Sequence, residues 1–195
     1  MQFLGLLLEV RHCDHFLHHR VAAHIHEEWR RLNFFVMTPA LQIRLARSAD
    51  APLIAAMSRD NIEVGLGWSW TEGRVLRSLG DPNTNVAVAY DEDDLVAFGI
   101  MKYRDDEAHL FLLAVRESHR RRGVGSALMT WLEKTALVAG IGVVYLEARS
   151  TNEAARAFYR GLGYREIKVV QGYYRGVESA VRLAKDLWDV KAART

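Results

Sequence analysis

The sequence predicts an α+β domain, a mixed α/β arrangement in which about four helices flank a central, mostly antiparallel sheet of about six to seven strands. Three consecutive strand-like runs are joined by turns of a few residues, which predicts antiparallel neighbours. A later strand, helix and strand predict a right-handed parallel crossover in the same sheet. Half of the 195 residues are apolar and 26% are charged, so the chain can bury a sizeable core.

The first part of the domain combines short strands with short helices. Apolar and polar residues alternate over 41–46, as in a half-buried strand. Asp50 followed by Pro52 then marks the start of a helix. A second helix is predicted at 71–80, followed by three strands at 85–90, 95–103 and 108–115.

The second part contains the crossover. Apolar residues at helical spacing from Val124 predict a long helix that ends at Gly140. Asn152 is the predicted N-cap of a further helix through Leu162, and Gly163 ends it. The strands of this part are predicted at 143–149, 164–170 and 180–187.

The composition excludes several classes of protein. Twenty-six Lys and Arg against 24 Asp and Glu give a net charge of +2, so no strongly basic face indicates a nucleic-acid partner. No apolar run approaches the ~18 residues of a membrane span, so no membrane partner is expected. Cys13 is the single cysteine, which excludes an intrachain disulfide and indicates a reducing, cytoplasmic compartment.

Histidines are concentrated before residue 27, which suggests that residues 1–37 form an extension outside a single domain at 38–195. His12, His15 and His19 would share a helical face near Cys13, and these are good transition-metal ligand types. Their spacing matches no zinc pattern, and no metal is expected. The extension is either a docked amphipathic helix or sequence that precedes a natural start at Met37.

The segment from Arg120 to Ser126 is the most informative part of the sequence, because it lies between a strand and an amphipathic helix. Its glycines let backbone N–H groups turn toward an anion, and the helix N-terminus and the arginines add positive charge. This chemistry suits a diphosphate. A P-loop would need Gly-Lys-Ser/Thr, and a dinucleotide fingerprint would need a glycine at Leu128. A glycine turn with a solvated charge run is the structural alternative.

Further motifs accompany this loop at fixed distances. The segment Arg120-x-x-Gly123-x-Gly125-Ser126-Ala127-Leu128 precedes Leu146-Glu147-Ala148-Arg149 and Asn152-x-x-Ala155-x-x-x-Tyr159-x-x-Leu162-Gly163-Tyr164. Together they resemble the GNAT superfamily of acetyl-coenzyme A dependent N-acetyltransferases over roughly residues 42–187. The segment from Gly172 to Ala180 resembles the RimI-like ribosomal-protein-alanine N-acetyltransferases, although Ser179 stands where those chains usually carry Asp.

The resemblance implies the GNAT fold and acetyl-CoA as co-substrate. It implies that backbone N–H groups of 121–126 hold the pyrophosphate, that residues 113–115 pair with pantetheine in strand-like fashion, and that Asn152 contacts the pantetheine arm. The residues assigned to acetyl-CoA are Leu113, Ala114, Val115, Arg120, Arg121, Arg122, Gly123, Val124, Gly125, Ser126 and Asn152.

The resemblance also implies a catalytic pair. Acetyl transfer needs a neutral amine, whereas a lysine amine titrates near ~10.4 and an α-amine near ~7.7 to 8.0. Glu147, near the end of its strand, is the implied general base, directly or through water, and Tyr159 is the implied general acid for the thiolate. A backbone N–H near Val115 would polarise the carbonyl oxygen. A solvated strand glutamate and a core aromatic are the structural alternatives.

The acceptor is less closely defined than acetyl-CoA. Trp68 and Trp70 lie where this superfamily builds its acceptor wall, but they are equally compatible with core positions. Tyr173 and Tyr174 correspond to peptide-contacting tyrosines of RimI-like enzymes, or else form a loop pair that covers the sheet edge.

Three functions stay open at this point. The first is acetylation of a protein N-terminal α-amine, for example on a ribosomal protein. A homodimer is compatible with the sequence of such an enzyme. The second is acetylation of a small amine such as a polyamine, an amino sugar or an antibiotic. The third is a non-catalytic acyl-CoA-binding module. Because Cys13 lies outside the resembling region, direct transfer in a ternary complex is expected rather than a thiol acetyl-enzyme.

Overall fold

The computed structural model describes residues 41–65 and 67–189. The strands are β1 (Leu41–Leu45), β2 (Thr84–Asp91), β3 (Asp94–Arg104), β4 (Glu107–Val115), β5 (Val143–Arg149), β6 (Arg165–Tyr174) and β7 (Glu178–Asp186). The helices are α1 (Ala51–Asn61), α2 (Glu72–Gly80), α3 (Val124–Val138) and α4 (Glu153–Gly161), with 3₁₀ turns at Ser48–Asp50 and Glu117–His119. The predicted mixed α/β fold class is confirmed.

The helix ends follow the local signals in the sequence. Pro52 lies in the first turn of α1, where its missing N–H costs nothing. Thr71 is the N-cap of α2. The Asn152 side chain accepts a hydrogen bond from the backbone N–H of Ala155 at 3.0 Å, so it caps α4 as predicted. Gly163 follows α4 in the left-handed region, with φ of 89°.

One sheet contains all seven strands in the order β1-β2-β3-β4-β5-β7-β6. Strands β1 to β4 are antiparallel neighbours, as the short connections predicted. Strand β5 follows α3 and lies parallel to β4, which confirms the predicted crossover. Strand β7 then pairs antiparallel with both β5 and β6, so β1 and β6 are the edges.

The two central strands separate partway along their length. The pairs between β4 and β5 run only from Glu107 opposite Val143 to Leu110 opposite Leu146. Beyond that point β4 continues to pair with β3, after a bulge that leaves Phe111 without a partner residue in β3. The backbone of 111–115 therefore has no strand partner on the β5 side, and a gap opens between β4 and β5.

Two apolar clusters hold the sheet between its helices. One cluster includes Leu128 and Leu132 of α3, which are fully buried as the helical spacing predicted. The other includes Ile54 of α1 and Phe98 of β3. The sheet therefore has a packed layer on each face, which leaves the gap between β4 and β5 as the main break in its regularity.

The predicted end of strand β6 was wrong. The strand continues past residue 170 to Tyr174, because Gly172, with φ of 61°, introduces an irregularity in register rather than a stop. The hairpin turns at Arg175 and Gly176, both in the left-handed region, and β7 begins at Glu178, two residues before the predicted start. Tyr173 therefore lies in an edge strand with Tyr174, and not in a loop.

The His-rich segment at 1–37, with His12, His15, His19 and Cys13, lies outside the described residues, as does the proposed boundary at Met37. Across 41–65 and 67–189, no helix is both long enough and apolar enough to cross a bilayer.

Candidate active site

The loop between β4 and α3 presents a row of free backbone donors. Arg121 and Gly123 adopt left-handed conformations, with φ of 61° and 81°. The first amide of the helix with a backbone acceptor is that of Ala127, which donates to the Gly123 carbonyl at 2.9 Å. Within the described part of the chain, the six amides of 121–126 donate to no protein acceptor. A nest of amides at a helix N-terminus is a site for an anion such as a pyrophosphate.

The Arg120 side chain makes two hydrogen bonds within the chain, and its predicted contact with acetyl-CoA stays a prediction. Its Nε donates to the Val115 carbonyl at 3.1 Å and its Nη2 donates to Oδ1 of Asn61 at 3.0 Å. The guanidinium therefore ties the start of the loop to β4 and to the end of α1. The exposed side chains of Arg121 and Arg122 are the arginines of this loop that stand clear of such contacts.

Gly125 is required for close packing at this point. A Cβ at Gly125 would lie 3.2 Å from the Phe158 ring and 3.4 Å from a methyl group of Val115. The first turn of α3 therefore meets both α4 and the end of β4, and this contact places the amides at the mouth of the gap.

The predicted pantetheine-binding residues lie along the gap. Leu113, Ala114 and Val115 pair with β3 on one side only and form no ladder on the side of β5. The Val115 carbonyl already accepts from Nε of Arg120, so the other groups of this edge are the ones open to a ligand. An extended chain that carries amide groups can supply those hydrogen bonds. Oδ1 of Asn152 is occupied by its capping bond, which leaves its Nδ2 group as the available donor.

Glu147 lies on β5, just past the last residue pair with β4, and its side chain is only 3% exposed. Its Oε1 accepts from Nε of Arg182 at 2.6 Å, and its Oε2 lies 2.6 Å from Nε2 of His109 and accepts from the Tyr173 hydroxyl at 3.2 Å. Burial raises the pKa of Glu147, but the hydrogen bonds and charges of His109 and Arg182 outweigh it and hold the pKa below its ordinary value. Glu147 is thus an ionised, fully partnered carboxylate.

The sequence reasoning missed His109 and Arg182. Both were visible as polar residues within predicted strands, at 108–115 and 180–187. Their contact with Glu147 depends on the register of β4 and β7 against β5, which no local pattern encodes. Strand alternation alone could have singled out His109 as a polar residue on the opposite face of the strand from Ala108 and Leu110, which face a core.

Tyr159 lies on α4, buried against two aromatic rings. Its ring centroid is 5.1 Å from that of Phe158 and 5.7 Å from that of Tyr164, both in edge-on arrangements. Among the described residues, its hydroxyl has no hydrogen-bond partner. Burial, and secondarily the nearby Tyr174, raises the pKa of Tyr159 well above its ordinary value, so the phenol stays protonated.

Tyr173 and Tyr174 link the carboxylate cluster to the β6–β7 hairpin. Their rings stack edge to face with centroids 4.9 Å apart, and Tyr173 donates to Glu147. Burial raises the pKa of Tyr174 to about 12, and the Arg149 guanidinium lies 5.6 Å from its ring centroid. Both predicted acceptor-side tyrosines therefore lie beside Glu147.

The two tryptophans take different positions. Trp70 is 7% exposed and belongs to the core, with its ring 6.2 Å from that of Phe111. Trp68 is 46% exposed, and its Nε1 donates to the Trp70 carbonyl at 3.0 Å. Trp70 is therefore a core residue, whereas Trp68 is not, and its predicted place in an acceptor wall stays a prediction.

Two polar anchors fix the connection between α1 and α2, and neither was predicted. Nη2 of Arg149 donates to the carbonyls of Ile62 and Val64 at 3.0 and 2.9 Å, while Nη1 pairs with Glu178 at 3.2 Å. The Glu63 carboxylate, nearly buried, accepts from the amides of residues 69 and 70 at 2.8 and 3.0 Å. The connection is thereby held beside β5 and the β6–β7 hairpin.

No group of three or more His, Cys, Asp or Glu side chains that could hold a metal ion occurs in the described ranges. The site is instead an anion-binding loop, a gap with free backbone groups, a buried carboxylate cluster and a protonated phenol. This set fits a phosphorylated thioester with an extended amide arm, such as acetyl-CoA.

Comparison with known proteins agrees with this geometry. Residues 54–164 match the acetyltransferase (GNAT) family. The ribosomal protein bS18-alanine N-acetyltransferase of Salmonella typhimurium is 34% identical over 118 residues, which are 59% of this chain and 79% of that protein. The Escherichia coli enzyme of the same name is 32% identical over 118 residues, again 59% of this chain and 79% of that protein.

Solved structures show the same fold. The ribosomal-protein-S18-alanine N-acetyltransferase of Escherichia coli superposes with a TM-score of 0.67 at 27% identity, covering 75% of this chain and 94% of that chain. Ard1 from Thermoplasma volcanium superposes with a TM-score of 0.68 at 24% identity, covering 75% and 97%, and shows likeness of fold alone. The chain therefore belongs to the acetyltransferase (GNAT) family and is an acetyl-CoA-dependent N-acetyltransferase.

Proposed function

We propose that this enzyme acetylates the α-amine of a protein N-terminus. The observation that carries the proposal is the aromatic surroundings of the Glu147 cluster. Tyr173 and Arg182 bond to the carboxylate, Tyr174 packs on Tyr173, and Phe111 packs on His109. The two relatives are named as alanine N-acetyltransferases of a ribosomal protein, and these names support the same acceptor class. A ribosomal protein made in the cytoplasm is the acceptor that we propose.

The reaction joins the amine nitrogen to the thioester carbonyl carbon as the carbon–sulfur bond breaks. A neutral amine loses one proton and the departing sulfur gains one. An α-amine titrates near ~7.7 to 8.0, so a modest base in the site suffices, whereas a lysine amine near ~10.4 would demand more. In our proposal the Glu147 cluster receives the amine proton, and the Tyr159 hydroxyl donates a proton to the departing sulfur.

The binding of acetyl-CoA follows from the two free sets of backbone groups. We assign the amides of 121–126 to the pyrophosphate and the unpaired edge of 113–115 to the pantetheine arm, with Asn152 and the exposed Arg121 and Arg122 beside them. This arrangement would bring the thioester down the gap toward Glu147, with a backbone N–H near Val115 available to the carbonyl oxygen.

An enzyme for a polycationic small amine would be expected to have a site of different composition. Such an acceptor is recognised by unpaired carboxylates, but three carboxylates of the described residues near Glu147 and the neighbouring connection are engaged. Glu147 is paired with Arg182 and His109, Glu178 with Arg149, and Glu63 with backbone amides. The geometry therefore supports a peptide terminus over a polyamine.

The test is a screen for transfer of a labelled acetyl group to amines. The panel contains peptides that begin with Ala, the same peptides with blocked N-termini but a free lysine, a polyamine and an amino sugar. We expect the unblocked peptides to be acetylated fastest. A faster reaction with the blocked peptides or with the small amines would contradict the proposed acceptor class.

Calorimetry with acetyl-CoA is the companion measurement. We expect 1:1 binding, and we expect Gly125→Ala to weaken it because the new Cβ would press on Phe158 and shift the first turn of α3. Absence of binding at millimolar acetyl-CoA would contradict the assignment of the loop.

A further inference from the structure

His109 lies at the point where β4 and β5 separate. Its strand neighbour Leu110 forms the last residue pair with β5, opposite Leu146. Nε2 of His109 is 2.6 Å from Oε2 of Glu147, and the imidazole side chain is 31% exposed. The imidazole therefore stands between the buried carboxylate and the open gap.

The charge of Glu147 fixes which nitrogen of His109 carries the proton. An ionised carboxylate only accepts hydrogen bonds, so Nε2 must donate to it. The second nitrogen, Nδ1, has no partner among the residues that the structure describes. In neutral His109, Nδ1 is consequently the nitrogen with a free lone pair.

Charged and titratable groups lie on each of the elements that neighbour His109. On β3, Lys102 pairs across the ladder with His109, but its ammonium contacts Asp81 at 3.1 Å. On β5, Tyr145 lies opposite His109 in register, beside Glu147. Tyr173 on β6 and Arg182 on β7 bond to the carboxylate, and Arg74 near the start of α2 stacks over Trp70.

We propose that Nδ1 of His109 is the atom that accepts the proton of the acceptor amine, and that Glu147 is a positioning residue that holds the imidazole in this tautomer. The inference rests on the proposed acetyl transfer and names the proton acceptor within its carboxylate cluster. Both residues act on one proton, which leaves the amine nitrogen as the nitrogen–carbon bond forms and then passes to solvent.

The physical reason is the state of the two candidate bases. Glu147 already has three donors on its two oxygens, so a proton placed there would displace an ion pair with Arg182 or the bond from His109. The lone pair of Nδ1 can take a proton without breaking a contact, and the ionised carboxylate stabilises the imidazolium that forms. His109 thus combines access with a free acceptor atom.

The experiment compares kcat and kcat/KM of the wild type, His109→Gln, Glu147→Gln and the double variant. Rates are measured from about pH 5 to about pH 10, which brackets the ordinary pKa values of an imidazole and of an α-amine. Each protein is tested on whichever amine the wild type acetylates fastest, so a wrong acceptor class would contradict the proposed function without affecting this result. Lys102→Gln, which removes a cation on the neighbouring strand, is the matched control and should retain wild-type rates.

We expect His109→Gln to lower kcat by about 10²- to 10⁴-fold while the KM for acetyl-CoA stays unchanged. The double variant should match His109→Gln within about twofold, because Glu147 acts through His109. The proposal would be overturned if His109→Gln kept the wild-type kcat. It would also be overturned if the double variant lost kcat relative to His109→Gln by the full factor that Glu147→Gln causes in the wild type.

Nitrogen NMR of labelled histidine supplies a readout that does not depend on activity. We expect Nε2 of His109 to stay protonated throughout and Nδ1 to titrate, and we expect Glu147→Gln to mix the two tautomers. The thermal midpoint of each variant shows that it is folded. A titrating Nε2, or a tautomer that is unchanged in Glu147→Gln, would contradict the positioning role.

Discussion

The Tyr159 side chain is largely buried, but its hydroxyl makes no hydrogen bond to the described residues and is not one of the fully buried polar atoms without a partner. A core position at this site would be served equally well by phenylalanine, because neighbouring Phe158 makes the same kind of ring contact. The raised pKa keeps the phenol protonated across the working range, so its proton is available for donation at every relevant pH. The departing coenzyme thiolate, with an ordinary pKa near ~8.5, needs such a donor more than a strong acid.

Tyr159→Phe should lower kcat by about 10²- to 10⁴-fold with little change in the thermal midpoint. Tyr164→Phe is the matched control, because Tyr164 packs against the same ring and its buried hydroxyl has no hydrogen-bond partner in the described structure. Its removal should leave kcat unchanged and stability equal or higher. Steady-state acetyl transfer and thermal unfolding separate the two variants, and equal rates in both would exclude Tyr159 from catalysis.

At the scale of elements, the loop before α3 depends on backbone conformation rather than on side chains. Gly123 has φ of 81°, and a Cβ at this position would point into open space, so a substitution there meets strain but no clash. The loop aligns its amides only while Gly123 and Arg121 keep their left-handed conformations.

Gly123→Ala should destabilise the fold by about 1 to 2 kcal/mol and weaken acetyl-CoA binding, since alanine disfavours the left-handed region. Gly161→Ala, at the end of α4, is the control. It has ordinary φ and nothing within 4 Å, so it should stabilise the protein by roughly 0.5 to 1 kcal/mol and leave binding unchanged. Denaturant titration and calorimetry with acetyl-CoA measure both effects, and tight binding in Gly123→Ala would refute the role of the loop conformation.

The connection between α1 and α2 is a second element whose place depends on one side chain. Arg149 reaches across from β5 to two of its carbonyls and to Glu178 of the hairpin, so it joins three segments around the acceptor side. A lysine keeps the charge but lacks the planar fork that makes these bonds together.

Arg149→Lys should raise the KM of the acceptor amine by about 5- to 30-fold, the equivalent of about 1 to 2 kcal/mol, while the KM of acetyl-CoA stays the same. The control is Arg165→Lys, an exposed edge-strand residue paired with Asp189 at 3.6 Å. Initial-rate kinetics with each substrate varied in turn make the comparison. An equal rise in both KM values would point to general loss of structure instead.

At the scale of the whole molecule, several buried carboxylates stabilise the fold only while they are ionised. For Asp50, Glu63 and Glu147, burial raises the pKa, but hydrogen bonds outweigh it and lower the pKa below the ordinary value. Asp50, for example, accepts from Arg44, from the Arg47 amide and from Tyr90. A carboxyl group with a lowered folded-state pKa contributes stability above its unfolded pKa and loses it as the pH falls through the folded value.

Stability should therefore be nearly constant from neutral pH down to the ordinary values of 4.5 and 3.8 for these groups and fall below them. The urea midpoint at a series of pH values measures this. Asp50→Asn should be less stable at neutral pH and show a shallower acid slope, whereas Asp60→Asn, in an exposed pair with Arg59, should keep the wild-type slope. An acid slope that is unchanged in Asp50→Asn would contradict this assignment.

The sequence by itself determined the elements and the loop, because their signals are local. Pro52, Asn152 and Gly163 act on the backbone within a few residues, and apolar spacing placed the strands and helices. The anion-binding character of the loop follows from its glycines and arginines, and the family resemblance implied the amides of 121–126. Only Gly172 misled the prediction, since a glycine at an edge strand can change register without ending the strand.

The tertiary structure alone decided what surrounds Glu147. His109, Tyr173 and Arg182 come from three different strands, and their contacts with one carboxylate depend on strand order and register, which are set by packing over the whole sheet. The same holds for the gap between β4 and β5, which exists because a parallel pair ends early. The sequence therefore determined which chemistry the chain carries, and the fold decided which atoms meet to perform it.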